Sequence, residues 1–199
     1  MKLLLIGATG TLGRAVEAEL GERHEIVRVT RSGGDFACDL TDADSIRRLY
    51  DAVGTFDAVV VTAGGATFAP LAELDEEALR VGIESKMLGQ IRLLLLGRDR
   101  IAEGGSFTFT TGVLAHDPVV GGAGLSLANG AIEAFVRAAA IELPRGLRVN
   151  VVSPGVIEES LDRYGAAFRG HDPVPAARAA RAYAKSVEGA QTGQIYSVL

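Results

Sequence analysis

The chain is poor in cysteine. Cys38 stands alone, so no disulfide forms within the chain, and a reducing cytoplasm is the expected compartment. This lone thiol reads either as a nucleophile or as a partly buried side chain. Basic charge is also in short supply: 20 Lys and Arg stand against 25 Asp and Glu, for a formal net charge of −5. No basic arm or stripe appears, which removes the electrostatic case for nucleic acid. Long hydrophobic runs are missing as well. The apolar start breaks at Gly7, and the later run from Leu93 to Leu96 is equally short. A bilayer span needs about 20 apolar residues, so neither a signal peptide nor a membrane span is expected. No His/Cys cluster has the spacing of metal ligands. What is present is 48% hydrophobic and 23% charged over 199 residues. That is the composition of a globular chain with a sizeable core, expected as one domain over residues 1–199.

The chain is organised around its opening, MKLLLIGATGTLG. Leu3, Leu4, Leu5 and Ile6 form the short continuous apolar run of a strand buried on both faces. Gly7, Gly10 and Gly13 follow at G-x-x-G-x-x-G spacing, and then Ala15, Val16, Ala18 and Leu20 recur at helical spacing. Strand, glycine turn and helix make a phosphate-binding corner. Gly7 allows the tight turn, Gly10 lets backbone approach a pyrophosphate, and Gly13 seats the helix on the strand. The helix N-terminus then offers free N–H donors to the phosphates. The bland alternative is a corner that is merely structural.

A second strand is expected at 25–30, ending at Thr30, Arg31 and Ser32. In a Rossmann-type sheet this is where the adenosine ribose lies. An acid here would select NAD; Arg31 instead would pair with a 2′-phosphate. The sign favours NADP(H) over NAD, against the alternative of a solvated strand-end charge. Only seven residues separate Arg31 from Asp39. A parallel crossover needs about a dozen or more, usually with a helix, so the helix after the second strand is missing and the third strand is short, irregular or absent. Asp39 reads equally as an acceptor for an adenine amino group and as a local turn former. A helix follows over about 43–53, capped by Thr41 or Asp42. Further strands are expected at 57–63, 106–111, 148–152 and 195–198, with helices at about 75–98, 125–143 and 175–187. Gly64 and Gly65 close one strand with bare backbone; residues 156–172 read as a loop with a few helical turns, in the usual place of a substrate lid. This alternation predicts an α/β, doubly wound parallel sheet.

Five segments together resemble the short-chain dehydrogenase/reductase family over almost the full length. They are GATGTLG, Asp39-Leu40-Thr41-Asp42, Thr62-Ala63-Gly64-Gly65, Asn150-Val151-Val152-Ser153-Pro154-Gly155 and Thr192-Gly193-Gln194. The resemblance implies a nicotinamide cofactor. Its shell would comprise Gly7, Thr9, Gly10, Thr11, Leu12 and Gly13, then Arg31, Ser32, Asp39 and Leu40, then Ala63, Gly64 and Gly65, and finally Pro154, Gly155 and Val156. It also implies a homodimer or homotetramer assembled through the two long helices, and a small-molecule substrate.

The family's catalysis uses a serine, a tyrosine and lysine four residues apart, and an asparagine. Carried over by resemblance, Leu125 stands at the tyrosine position, Asn129 at the lysine position, Gly112 near the serine position just after Thr110 and Thr111, and Lys86 at or near the asparagine. No Tyr-x-x-x-Lys occurs in the chain; Tyr50, Tyr164, Tyr183 and Tyr196 all lie elsewhere. A leucine exchanges no proton, so the donor for carbonyl reduction must come from another residue. Lys86, desolvated near a cofactor, is the first candidate, against a plain helix-surface charge. Thr111 is a candidate to polarise a carbonyl, and Asn129 completes the expected catalytic set. Tyr164 or His171 on the lid are further donors, while His116, beside Asp117, reads as part of a solvated loop. Three functions follow: an oxidoreductase acting on a small carbonyl or alcohol with a relocated donor, an NADP(H)-binding sensor or assembly partner without turnover, or a non-redox isomerase or lyase.

Overall fold

The opening apolar run forms an interior strand of the sheet. The computed structural model describes Met1 to Leu199, and its strands are β1 (Lys2–Ile6), β2 (Glu25–Thr30), β3 (Phe36–Ala37), β4 (Phe56–Val61), β5 (Ile101–Thr110), β6 (Arg148–Pro154) and β7 (Ile195–Val198). They form one sheet of order β3-β2-β1-β4-β5-β6-β7, parallel at every pairing. Its helices are α1 (Thr11–Leu20), α2 (Ala43–Val53), α3 (Glu76–Gly82), α4 (Gly89–Gly97), α5 (Ala123–Ala139), α6 (Leu161–Tyr164) and α7 (Ala176–Glu188). The expected doubly wound α/β sheet is therefore the observed one, and β2 passes to a two-residue β3 with no helix between them.

The strand period of two sorts β1 between two cores. Leu4 and Ile6 join Val59, Val61, Val149 and Val151 under α2, α4 and α5, whose Ile46, Leu49, Leu93, Ile132 and Val136 close that side. Leu3 and Leu5 join Ala58, Val60 and Val152 under α1 and α7, with Val16, Leu20, Tyr183 and Val187. Helices on both faces explain why these strands read as continuous apolar runs. In the first core Tyr50 is fully buried, stacks on Phe56 with ring centroids 5.1 Å apart, and donates its hydroxyl to the Leu93 carbonyl at 2.7 Å. Tyr50→Phe keeps the stack and loses that bond. It is expected to lower the urea midpoint by an amount equivalent to about 1 kcal/mol, with the urea slope unchanged.

Two departures from the sequence expectation exceed four residues or change the type of element; the other bounds shift by four residues or fewer. β5 begins at Ile101 rather than 106 because Ile101 already pairs with Phe56, the register shifting before Ser106. Glycines at 104 and 105 break the apolar alternation there, so the early part of the strand carries no periodic signal. The second difference bears on the site. Residues 75–98 do not form one regular helix: Ile83–Leu88 is π-helical between α3 and α4. Such a wide turn rotates the faces of the helix that follows it. Asp75 caps the start, accepting from the Ala78 N–H at 2.8 Å; Asp42 does the same for α2 through Asp44.

β1 lies between β2 and β4, where the strand order reverses. In open parallel sheets the crevice at such a point, beyond the carboxyl ends of the strands, is where ligands bind.

Candidate functional site

That crevice is a trough of about 540 Å³ with a smaller cavity of about 240 Å³ continuing from it. Thr62, Ala63 and Gly64, at the end of β4, line both. One end of the trough is the glycine corner. The Gly10 N–H donates to the Gly7 carbonyl at 3.0 Å, and Gly10 caps α1 with no side chain on the first-turn N–H groups. Gly13 lies behind this corner rather than on the trough wall. A Cβ there would stand 2.2 Å from the Gly7 carbonyl oxygen and 2.8 Å from two backbone atoms of Ala8. Only bare backbone lets α1 approach β1 this closely.

Along the trough lie Gly7, Thr9, Gly10, Arg31, Asp39, Leu40, Ala63 and Gly64. Arg31 is 85% exposed and its guanidinium sits 3.6 Å from the Asp39 carboxylate. Asp39 also accepts from the backbone N–H and hydroxyl of Thr41 at 2.9 and 2.7 Å. These bonds, with a smaller contribution from Arg31, hold its carboxyl below the usual range. The turn-forming role of Asp39 is thus observed, and its second oxygen faces the cation. Leu12 and Pro154, Gly155 and Val156 line the smaller cavity, and Thr11 with Leu12 lines an adjoining cleft. Ser32 and Gly65 line neither cavity, although Gly65 is tied to Ser85 by a 3.4 Å bond.

The smaller cavity brings Lys86, Thr111, Asn129 and Leu125 together. Lys86 is only 7% exposed, so the surface-charge alternative is overturned. The π-helical turn carries it inward, against Gly64 at φ +108°, where a side chain would meet the Lys86 Cα at 2.8 Å. Burial alone lowers its ammonium from 10.5 to about 8; no carboxylate answers it. Asn129 is buried, its amide N–H reaching the Gly112 carbonyl at 3.4 Å while its Oδ1 has no partner. Gln90, fully buried, grips the backbone of Thr110 from both sides, at 2.9 and 2.8 Å, and so fixes the strand end that presents Thr111. From the segment 156–172, Tyr164 and Phe168 reach the cavity wall. His171 does not; it lies 3.5 Å from Asp117 in a neighbouring cleft. Tyr183 is sealed in the second core, bonded to Thr110 at 2.6 Å, and burial raises its hydroxyl far above the ordinary tyrosine value. It is no proton exchanger near neutral pH.

His116 is the other correction. Rather than lying in a purely solvated loop, its Nε2 meets Glu133 at 2.7 Å, and Glu133 is 1% exposed. Glu133 was not among the sequence-derived candidates, although its signal was legible: an acid four residues after Asn129 and eight after Leu125 on one helical face. Glu84 and Ser85, also on the trough wall, had no such signal, because the π-helical turn breaks the 3.6-residue period.

A family profile described as Enoyl-(Acyl carrier protein) reductase matches residues 9–198. The short-chain dehydrogenase/reductase ATR9 of Stachybotrys chlorohalonatus is 33% identical over 161 residues, 74% of this chain and 61% of that protein. An uncharacterized oxidoreductase of Methylorubrum extorquens is 32% identical over 137 residues, 65% and 55% of the two chains. This chain thus spans 55% to 61% of the length of these curated relatives. Among solved structures, the protein lin1944 from Listeria innocua superposes with a TM-score of 0.99 at 53% identity, covering 100% of both chains. A small-chain dehydrogenase in complex with NADPH superposes at 0.88 with 26% identity, covering 100% of this chain and 96% of that one. No helix is long and apolar enough to cross a membrane. The profile covers nearly every residue, and the same sheet, glycine corner and switch-point trough are present: the chain belongs to the short-chain dehydrogenase/reductase family of oxidoreductases.

Proposed function

We propose that this chain is an NADP(H)-dependent oxidoreductase that interconverts a small carbonyl compound and its alcohol, with Lys86 exchanging the proton. The observation that carries the reading is the desolvated Lys86 ammonium, without a carboxylate partner, on the wall of the cavity that continues the nucleotide trough.

The residues fit a dinucleotide. Gly7 and Gly10 present bare backbone to the trough, Gly13 behind them lets α1 seat against β1, and the uncapped start of α1 offers N–H groups to a pyrophosphate. Arg31 would move from Asp39 to a 2′-phosphate, with Ser32 beside it, and Asp39 and Leu40 would flank the adenine. Ala63, Gly64 and Gly65 would follow the adenosine and ribose; Pro154, Gly155 and Val156 would border the nicotinamide end. Thr9, Thr11 and Leu12 complete the phosphate turn. The unpartnered Oδ1 of Asn129 is an acceptor for a ribose or substrate hydroxyl. When bound, the nicotinamide supplies or accepts the hydride. Lys86 gives its proton to the carbonyl oxygen during reduction and takes it back during oxidation, in a cavity that Thr111 also lines. A homo-oligomer built through α4 and α5 accompanies this reading; Leu95 and Leu127 on those helices are exposed.

Titration with NADPH and NADH, followed by a panel of small aldehydes and ketones monitored by NADPH oxidation, tests the proposal. NADPH is expected to bind more tightly. Arg31→Glu is expected to weaken NADPH binding by about ten- to a hundredfold, the worth of a charged hydrogen-bonded pair, and to leave NADH binding little changed. No saturable binding of either nucleotide overturns the cofactor assignment. Tight binding without turnover on any carbonyl favours a sensor, and substrate conversion without net oxidation of NADPH favours an isomerase or lyase.

A further inference from the structure

We infer that Glu133 and His116 form the proton outlet of the small cavity, with the Thr111 hydroxyl as its inner end. The inference rests on the oxidoreductase reading above and supplies what that reading lacks, a way for Lys86 to recover its proton.

Two contacts define the path. Thr111, on the cavity wall, donates its hydroxyl to Glu133 Oε1 at 3.1 Å. Glu133 Oε2 meets His116 Nε2 at 2.7 Å. The Glu133 side chain is 2% exposed, whereas the His116 ring is 56% exposed. A buried carboxylate thus joins a cavity hydroxyl to an imidazole in water. Leaving water costs an ionised carboxylate several kcal/mol, so its partners matter. They are His116 from the loop after β5 and Arg137 from its own helix, 3.6 Å from Oε2. Asp117 is next to His116 and pairs with His171; Lys86 lines the same cavity as Thr111.

A threonine hydroxyl has one proton and two acceptor sites. While Glu133 is ionised, that proton points to Oε1, and Thr111 offers lone pairs to the cavity. It then accepts a proton and cannot polarise a carbonyl. Once Glu133 is protonated, it donates to Thr111, whose own proton turns to the cavity. After a reduction, in which hydride has reached the carbonyl carbon and a Lys86 proton its oxygen, Lys86 is left neutral. One proton then enters from water at His116, passes to Glu133 Oε2, and is presented at Oε1 by a half-turn of the carboxyl group. Thr111 takes it up while releasing its own proton to the cavity, where Lys86 regains it through the product hydroxyl. Oxidation runs the same transfers outward, so each carbonyl reduced consumes one hydride and one proton.

The first test follows the His116 ring by NMR across pH in the full-length protein. Thr111→Val removes a donor from Glu133, makes its carboxylate a stronger partner, and is expected to raise the His116 titration midpoint. Glu133→Gln is expected to lower that midpoint and to abolish the effect of Thr111→Val in the double variant. An unchanged midpoint in Thr111→Val overturns the link. The second test is turnover on the carbonyl found in the panel. His116→Ala is expected to lose about tenfold or more in kcat, with unchanged NADPH affinity, and to recover with imidazole added to the buffer; Glu133→Gln is expected not to recover. Wild-type turnover in His116→Ala without imidazole overturns the outlet. If the wild-type protein reduces nothing in the panel, the oxidoreductase reading fails on its own, and the Thr111→Val midpoint still decides whether hydroxyl and imidazole are linked.

Discussion

Lys86→Met is expected to stabilise the protein at pH 7 while removing most of its turnover. In the unfolded chain the amine keeps its proton up to about its ordinary value of 10.5, but in the fold only to about 8. Between those values the unfolded state binds more protons, so stability rises with pH across that window. Below about pH 8 both states are protonated, and the fold carries the full cost of a buried ammonium. A shift of this size corresponds to about 3 kcal/mol. Methionine has similar reach and no charge, so a gain of about 1–3 kcal/mol at pH 7 is expected, vanishing by about pH 10.5. Urea unfolding of both proteins at pH 7, 9 and 10 measures it. Equal stability at every pH would show that the ammonium is solvated. Loss of a positioned acid costs about 10² to 10⁴ in rate, and the wild-type reduction rate should fall as pH rises past about 8, where the ammonium is lost. Unchanged turnover in Lys86→Met removes it from the mechanism. A residue that weakens the fold and serves the reaction is the usual compromise at a functional site.

Gly13→Ala is expected to do the opposite kind of damage. Its Cβ would stand 2.2 Å from the Gly7 carbonyl oxygen and 2.8 Å from Ala8 backbone atoms. No flexible side chain is there to yield, so α1 must move off β1. A loss of about 3 kcal/mol or more is expected, at the upper end for overpacking, together with loss of nucleotide binding. Gly10→Ala is the control. Its Cβ would lie 3.4 Å from the same oxygen, so the fold should survive, and any loss of NADPH affinity then reports the approach of the phosphates. Thermal melts and NADPH titration of both variants separate the two effects. A Gly13→Ala protein with wild-type stability and affinity would show that the corner is looser than its geometry.

Much of the fold was legible because its causes are local. A run apolar on both strand faces has to be covered twice, which places β1 inside a sheet with helices on either side. The seven residues between Arg31 and Asp39 are too few for a helical crossover, and chain length alone reduced β3 to two residues. The bounds of α2 and β7 agree with the sequence periodicity residue for residue. Capping of α2 was legible as well, narrowed to Thr41 or Asp42, and Asp42 is the cap.

The chemistry of the small cavity was only half legible, for a physical reason. Resemblance to the family marked Lys86, Thr111 and Asn129, but exposure depends on what covers a residue. The π-helical turn at Ile83–Leu88 rotates Lys86 inward, and its wide bonding ring leaves no trace in a 3.6-residue pattern. His116 and Glu133 are 17 residues apart in sequence and become partners only because the loop after β5 folds back over α5. The sequence by itself determined the sheet, the glycine corner and the residues that could carry chemistry, since periodicity and reach act over a few residues. Tertiary structure alone decided which of those groups lose water and which meet. Desolvation and charge pairing belong to the assembled molecule, not to any stretch of its chain.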